Sequence, residues 1–132
     1  MSEKFTLAVL TISDAGSKGE REDSSGDAIV EIMTGQGFDL KGRDIIPDER
    51  DLISTRLREW SDSGDFDLIL TTGGTGLGPR DVTPEATRAV LDIEVPGIAE
   101  AIRVETLKKT PLSMLSRSVA GVRSGCLVVN LP

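Results

Sequence analysis

Histidine is absent from this 132-residue chain. Its absence excludes the commonest general base, the commonest zinc ligand and any serine–histidine triad. Cysteine occurs once, at Cys126, so no disulfide framework can form within the chain, which suits a reducing cytoplasm. Cys126 opens the apolar run Cys126-Leu127-Val128-Val129 and reads as a packed core thiol, not a nucleophile. Positive charge is in deficit: 15 Lys and Arg stand against 22 Asp and Glu, a net charge of −7. Such a chain lacks the diffuse field that gathers nucleic acid or anionic membrane. A phosphate-bearing ligand then has to be held locally, by backbone N–H groups, one or two arginines or a divalent cation. No apolar run approaches the length that crosses a bilayer. The run Phe5 to Ile12 is flanked by Glu3-Lys4, without net positive charge, and followed at once by Ser13-Asp14, which is not the pattern of a secretory leader. The expectation is a single soluble, cytoplasmic domain over residues 1–132, with neither nucleic acid nor membrane as partner.

What is present alternates between strand and helix. Phe5 to Ile12 is a continuous apolar run, as in a parallel strand covered on both faces. A polar loop runs from Ser13 to Asp23, and Ser24 with Asp27 resembles a capping box. Ala28, Ile29, Ile32 and Met33 then form one helical stripe, stopped by Gly35 and Gly37. Phe38 to Ile46 is a weaker, edge-like strand. Leu52, Ile53, Leu57 and Trp60 repeat at helical spacing after Pro47-Asp48. Asp65 to Thr72 is the next strand, with Phe66, Leu68 and Leu70 on one face. A short helix is expected to start at Thr83 (cap) and Pro84 (first turn). Another covers Pro96 to Lys108, with Ile98, Ala101 and Ile102 inward and Lys108-Lys109 compensating its dipole. Leu112 to Arg123 reads as a loop and a short strand pair, and Cys126 to Leu131 as the last strand. The series predicts an α/β fold, a three-layer α/β/α sandwich around a mostly parallel sheet.

The segment TTGGTGLGPRDVTPEAT, residues 71–87, carries most of the chemistry. It leaves a buried-looking strand through Thr72, Gly73, Gly74, Thr75 and Gly76, and glycines let a backbone approach a ligand closely. In an α/β sheet, ligands sit at strand carboxyl ends. The glycine order fits neither the P-loop nor the dinucleotide fingerprint. The helix start at Thr83-Pro84 adds a positive dipole end nearby, so a phosphate site is the first reading. Asp81 reads either as a loop carboxylate helping to cap that helix or as a hard oxygen ligand for Mg²⁺. Asp48 carries the same two readings, and the two acids could share one ion. Ser13 and Asp14 follow the first strand in an equivalent position, Asp14 being equally readable as a turn former. Arg80 and Arg117 could neutralise phosphate by forked hydrogen bonds or simply be solvated.

These residues resemble a known family. TTGGTGLGPRDVTPEAT, with LTISDAGSKGEREDSSG (10–26), IIPDE (45–49), PGIAEAIR (96–103), TPLSMLSR (110–117) and LVVNLP (127–132), is similar throughout the chain to the molybdopterin adenylyltransferases, the Mog and MoaB proteins of molybdenum-cofactor biosynthesis, whose domain recurs in gephyrin. The resemblance implies binding of molybdopterin and its adenylylation by ATP and Mg²⁺ with release of pyrophosphate. It implies that Thr72 to Gly76 hold the pterin and its phosphate. Asp48 and Asp81 fall on the family's essential acids, facing Mg²⁺ and ATP. Ser13, Asp14, Pro96 and Gly97 fall on its nucleotide side, and Ser116 and Arg117 on its pterin side; Arg80 and Thr83, read from the residues alone, complete the candidate binding set. A homotrimer is implied as well. The chemistry dispenses with histidine, because the molybdopterin phosphate is already an anionic nucleophile and transfer needs mainly positioning and charge neutralisation.

Two departures stand out. A family serine is Thr106 here, which keeps the hydroxyl. The family continues past NLP with a turn and a closing helix, whereas this sequence stops at Pro132, so the resemblance also admits a non-catalytic pterin-binding or scaffold module. A pyrophosphate hydrolase of the competence-damage type shares the sheet and a GGxG loop, but usually carries paired acids where this chain has Asp81 alone.

Overall fold

In the first strand, β1 (Thr6–Ile12), every residue after Thr6 is buried. Ala8, Leu10 and Ile12 enter one apolar cluster while Leu7 and Val9 enter another, so both faces of this strand are covered. The computed structural model describes residues 4–132. The further strands are β2 (Asp39–Ile46), β3 (Leu68–Thr72), β4 (Ile93–Glu94), β5 (Ala120–Arg123) and β6 (Cys126–Leu131). The helices are α1 (Asp14–Ser17), α2 (Ser24–Gly35), α3 (Arg50–Asp62), α4 (Thr83–Arg88) and α5 (Pro96–Leu107), and a 3-10 helix spans Pro111–Leu115. One six-stranded sheet results, ordered β2-β1-β3-β6-β5-β4. The first four of these are parallel, and β5 and β4 are antiparallel additions.

The helices divide between the faces. Ile53 and Leu57 of α3 and Ala86 of α4 pack with Val90 on the side of Leu10, and Ile29, Val30 and Met33 of α2 join Ile98 and Ile102 of α5 on the side of Val9. The three-layer expectation therefore holds, and β2 is an edge strand as read. No helix among the described residues is long and apolar enough to cross a membrane.

Local details differ from the sequence reading, each for a physical reason. Asp23, not Ser24, caps α2, its carboxylate accepting from Gly26 N at 3.1 Å. Ala28 and Ile32 face outward, because Gly26, Ile29, Val30 and Met33 are the stripe that meets the sheet. In α5 the inward small residue is Ala99, and Ala101 is exposed. Phe66 precedes β3 and packs beside Trp60 on the face opposite to Leu68 and Leu70. The loop after Ser13 contains the short helix α1, capped by the Ser13 hydroxyl. The segment from Leu112 begins inside the 3-10 helix and supplies one strand, β5, whose partners are β6 and the unanticipated two-residue β4. Ser124 and Gly125, both with positive φ, make the two-residue hairpin turn between β5 and β6. Cys126 is buried, and its desolvated thiol is pushed up to about 11, as a core thiol requires.

Candidate functional site

Parallel strands bring their carboxyl ends together, so the residues after β1, β2 and β3 converge. The glycine loop leaves β3 in an unusual conformation. Gly73 and Gly74 have φ of 98° and 70°, both in the left-handed region. A Cβ at Gly73 would overlap the Ile12 carbonyl oxygen, and one at Gly74 would overlap the Thr83 hydroxyl and come within 3.1 Å of Asp48 Oδ1. The loop is tied down by Thr83, whose hydroxyl donates to Gly73 O at 3.0 Å and whose N–H donates to Gly74 O at 3.1 Å. Thr83 is thus the first residue of α4, not its cap. Val82 occupies the cap position and, being aliphatic, makes no side-chain bond there, while the Thr83 hydroxyl is used on the loop.

Asp14 and Asp48 exchange main-chain bonds: Asp14 N donates to Asp48 Oδ2 and Asp48 N donates to Asp14 Oδ1, each at 2.9 Å. Asp48 does not cap α3, where Glu49 holds the cap position with no side-chain bond. Arg80 forks onto Asp14 at 2.9 and 3.1 Å, which holds the Asp14 carboxyl below its ordinary range. Burial, then the charges of Asp14 and Asp81, raise Asp48 against the lowering effect of its amide bond. Asp81 folds back over its own loop, Oδ2 accepting from Gly78 N at 2.9 Å. It does not cap α4. Asp48 and Asp81 therefore lie at one end of the sheet beside the glycines. Among the described residues no group of three or more acidic or cysteine side chains is gathered to hold a metal ion.

Arg117 reaches the same loop. Its main-chain N–H donates to Thr75 O at 2.9 Å, and its guanidinium donates to Gly76 O, Asp81 O and Glu85 Oε2 at 2.8, 2.7 and 2.6 Å. This bond holds the Glu85 carboxyl below its ordinary range. Ser116, next to it, shares a hydroxyl bond of 2.9 Å with Ser118. Gly76, Leu77, Thr106, Leu112 and Ser116 line an apolar cavity of about 440 Å³ on this side. Pro96 and Gly97 stand apart. They open α5 after the far edge strand β4, and both are exposed.

A second cleft, of about 350 Å³, has Ser13, Thr72 and Gly73 on one wall and Asp23, Ser24 and Ser25 on the other. Asp23 is nine-tenths buried and accepts from the Thr11 hydroxyl at 2.9 Å and Arg43 Nη2 at 3.1 Å. Sequence reasoning did not single out these three residues. The available signal is the Asp-Ser-Ser-Gly string at a helix start, which closes the family-like segment 10–26 but reads locally as a cap.

An α/β sheet with a glycine loop, hydroxyls and acids at the carboxyl ends of its central strands is a binding architecture for a polar, phosphate-bearing small molecule. The family described as "Probable molybdopterin binding domain" matches residues 8–132, and the chain belongs to it. The molybdopterin adenylyltransferase of Helicobacter pylori (strain J99) is 44% identical over 96% of this chain and 73% of that protein. The molybdenum cofactor synthesis protein cinnamon of Drosophila melanogaster is 44% identical over 98% of this chain, which spans only 22% of that longer protein. The solved structure of the molybdopterin biosynthesis enzyme MoaB of Thermus thermophilus superposes with a TM-score of 0.90 at 52% identity, covering 97% of this chain and 80% of that one.

Proposed function

We propose that this chain adenylylates molybdopterin with ATP in molybdenum-cofactor biosynthesis. The observation that carries the reading is the meeting of Gly73-Gly74, Asp48 and Asp81 at one end of the sheet. Shared identity with a molybdopterin adenylyltransferase along nearly the whole chain supports the same reading. A phosphate oxygen of molybdopterin attacks the α-phosphorus of ATP; the new P–O bond forms as the bond from that phosphorus to the bridging β-oxygen breaks, and pyrophosphate departs with the electron pair. No proton has to leave the nucleophile, so the lack of histidine costs nothing. The main-chain amides of Thr72 to Gly76 orient the phosphate, and Thr83 keeps those amides in place. Ser13 and Asp14 border the nucleotide and Ser116 the pterin, while Pro96 and Gly97, beyond the far edge strand β4, are left out of this site. Arg80, released from Asp14, supplies a forked donor to phosphate oxygens.

Asp48 and Asp81 carry the hard oxygen donors that Mg²⁺ prefers and are the residues that would hold it. An ion held there would help neutralise the charge that develops on the polyphosphate. The working form is a homotrimer, and a monomeric mass by light scattering would argue against it. Pyrophosphate release from Mg-ATP and molybdopterin tests the reaction. Asp81→Asn is expected to lose nearly all turnover, and a near-normal rate removes Asp81 from the mechanism.

The alternative is a pterin-holding module without catalysis. Calorimetry separates the two, since a pure carrier shows no Mg²⁺-dependent ATP binding.

A further inference from the structure

The segment from Gly76 to Asp81 is a compact turn with little regular structure of its own, yet it presents both Arg80 and Asp81. Internally it is held by two bonds, Gly78 N to Asp81 Oδ2 at 2.9 Å and Asp81 N to Gly78 O at 3.0 Å. The Asp81 carboxylate also sits within 3.0 Å of where a Cβ would stand on Gly76 or Gly78, so the turn is wrapped around this side chain. Its outer fastening comes from elsewhere in the chain. Arg117 grips the carbonyl at each end of the turn, Gly76 O and Asp81 O, with two arms of one planar group, and Glu85 of α4 holds the third arm. The Arg117 main chain is itself anchored to Thr75 O, and the carbonyls of its neighbours Ser116 and Ser118 accept from Arg103 at 3.3 and 3.0 Å.

We infer that Arg117 is a positioning residue that braces the Gly76–Asp81 turn and so aims Asp81, and is not a phosphate ligand. The inference rests on the role given to Asp81 under the proposed function and replaces the pterin-side role that resemblance suggested for Arg117. Three of its donor directions are already occupied by protein oxygens, two of them carbonyls at opposite ends of the turn that must be met together by donors in a fixed geometry. A planar fork supplies this and a point-like ammonium does not. Glu85 completes the brace by fixing the rotation of the guanidinium.

The test compares wild type with Arg117→Lys, Glu85→Gln and Glu85→Ala, using pyrophosphate release and amide hydrogen exchange in the intact chain. For Arg117→Lys, the expected result is a fall in kcat on the order of 10- to 100-fold, as for a reacting group displaced by about an ångström. The Mg²⁺ requirement rises while KM for molybdopterin stays within about twofold. Glu85→Gln keeps an acceptor and is expected to stay within about threefold of wild type, whereas Glu85→Ala falls between the two. A phosphate ligand behaves in the opposite sense: Arg117→Lys then largely keeps kcat and raises KM for molybdopterin, which overturns the inference. Should Arg117→Lys not fold, Glu85→Ala carries the same split, and an unchanged Mg²⁺ requirement there overturns it too. A wild-type chain that releases no pyrophosphate removes the proposed reaction but still leaves the brace open to measurement. Exchange at the Gly78 and Asp81 amides should then quicken more than roughly tenfold in Glu85→Ala, and unchanged protection of both amides rejects the brace.

Discussion

Asn130→Leu tests how the glycine loop is coupled to the core. Asn130 is fully buried on β6, yet polar, and both its amide nitrogen and its amide oxygen are engaged. Nδ2 donates to the hydroxyls of Thr71 on β3 and Thr87 on α4 at 3.0 and 3.1 Å, and Oδ1 accepts from Val119 N at 3.1 Å. The Thr87 hydroxyl passes the connection on, donating to Thr83 O at 2.7 Å, and Thr83 holds Gly73. A leucine leaves the Val119 N–H orphaned, at about 1–3 kcal/mol, and takes a donor from each of two hydroxyls, at about 0.5–1.5 kcal/mol apiece. The sum centres near 4 kcal/mol, and burial of the leucine returns up to about 2 kcal/mol. The net loss is then about 2 kcal/mol. With an unfolding entropy of about 2.1 cal/mol/K per residue, the 132 residues give roughly 0.28 kcal/mol/K, so Tm should fall by about 7 °C. Thermal unfolding followed by circular dichroism at neutral pH measures it. Thr87→Val should also cost less in the Asn130→Leu background than in wild type, by about 0.5 kcal/mol or more. A Tm at or above that of wild type, or strict additivity of the two substitutions, refutes a cooperative network here.

Gly73→Ala forces a side chain against the Ile12 carbonyl in a left-handed conformation, so a loss of at least about 2 kcal/mol is expected in chemical denaturation. An unchanged midpoint would mean that the loop is free to rearrange. Asp48, raised by burial and by the charges of Asp14 and Asp81, contributes with a definite sign. The fold favours its protonated form, so stability is fullest below the ordinary aspartate range and declines as pH rises through the raised value. Asp48→Asn should therefore match wild type in acid and gain on it towards neutral pH, while Mg²⁺-dependent ATP binding is lost. A wild type that gains on the variant with rising pH reverses the sign and refutes the argument.

Periodicity made the layer order legible, because alternation of helix and strand leaves few ways to bury both faces of runs such as Phe5 to Ile12. It also placed Asp48 and Asp81, since both follow strands whose carboxyl ends must meet. It failed where burial is decided by a neighbour and not by spacing. Ile32 and Ala101 have the right period but lie off the stripe that touches the sheet. The cap assignments to Ser24 and Thr83 failed for a related reason. Local strings name several possible caps, and distant partners choose between them: Thr11 and Arg43 hold Asp23, and Gly73 takes the Thr83 hydroxyl. The brace on Gly76 and Asp81 spans 41 and 36 residues, a separation at which a sequence pattern carries no signal.

The paired left-handed glycines at 73 and 74 also limit how this chain can diversify. Their dihedral angles, with the Ile12 carbonyl behind Gly73 and the Thr83 hydroxyl behind Gly74, forbid any side chain, so this floor is the same whatever ligand the protein is asked to prefer. New selectivity can be gained along Asp23 to Ser25, which face the glycines across their cleft, and along Leu112 to Ser116, which bound the separate apolar cavity. A directed-evolution library that freezes residues 72–76 and randomises those two stretches would explore nearly all of the recognition this scaffold can acquire.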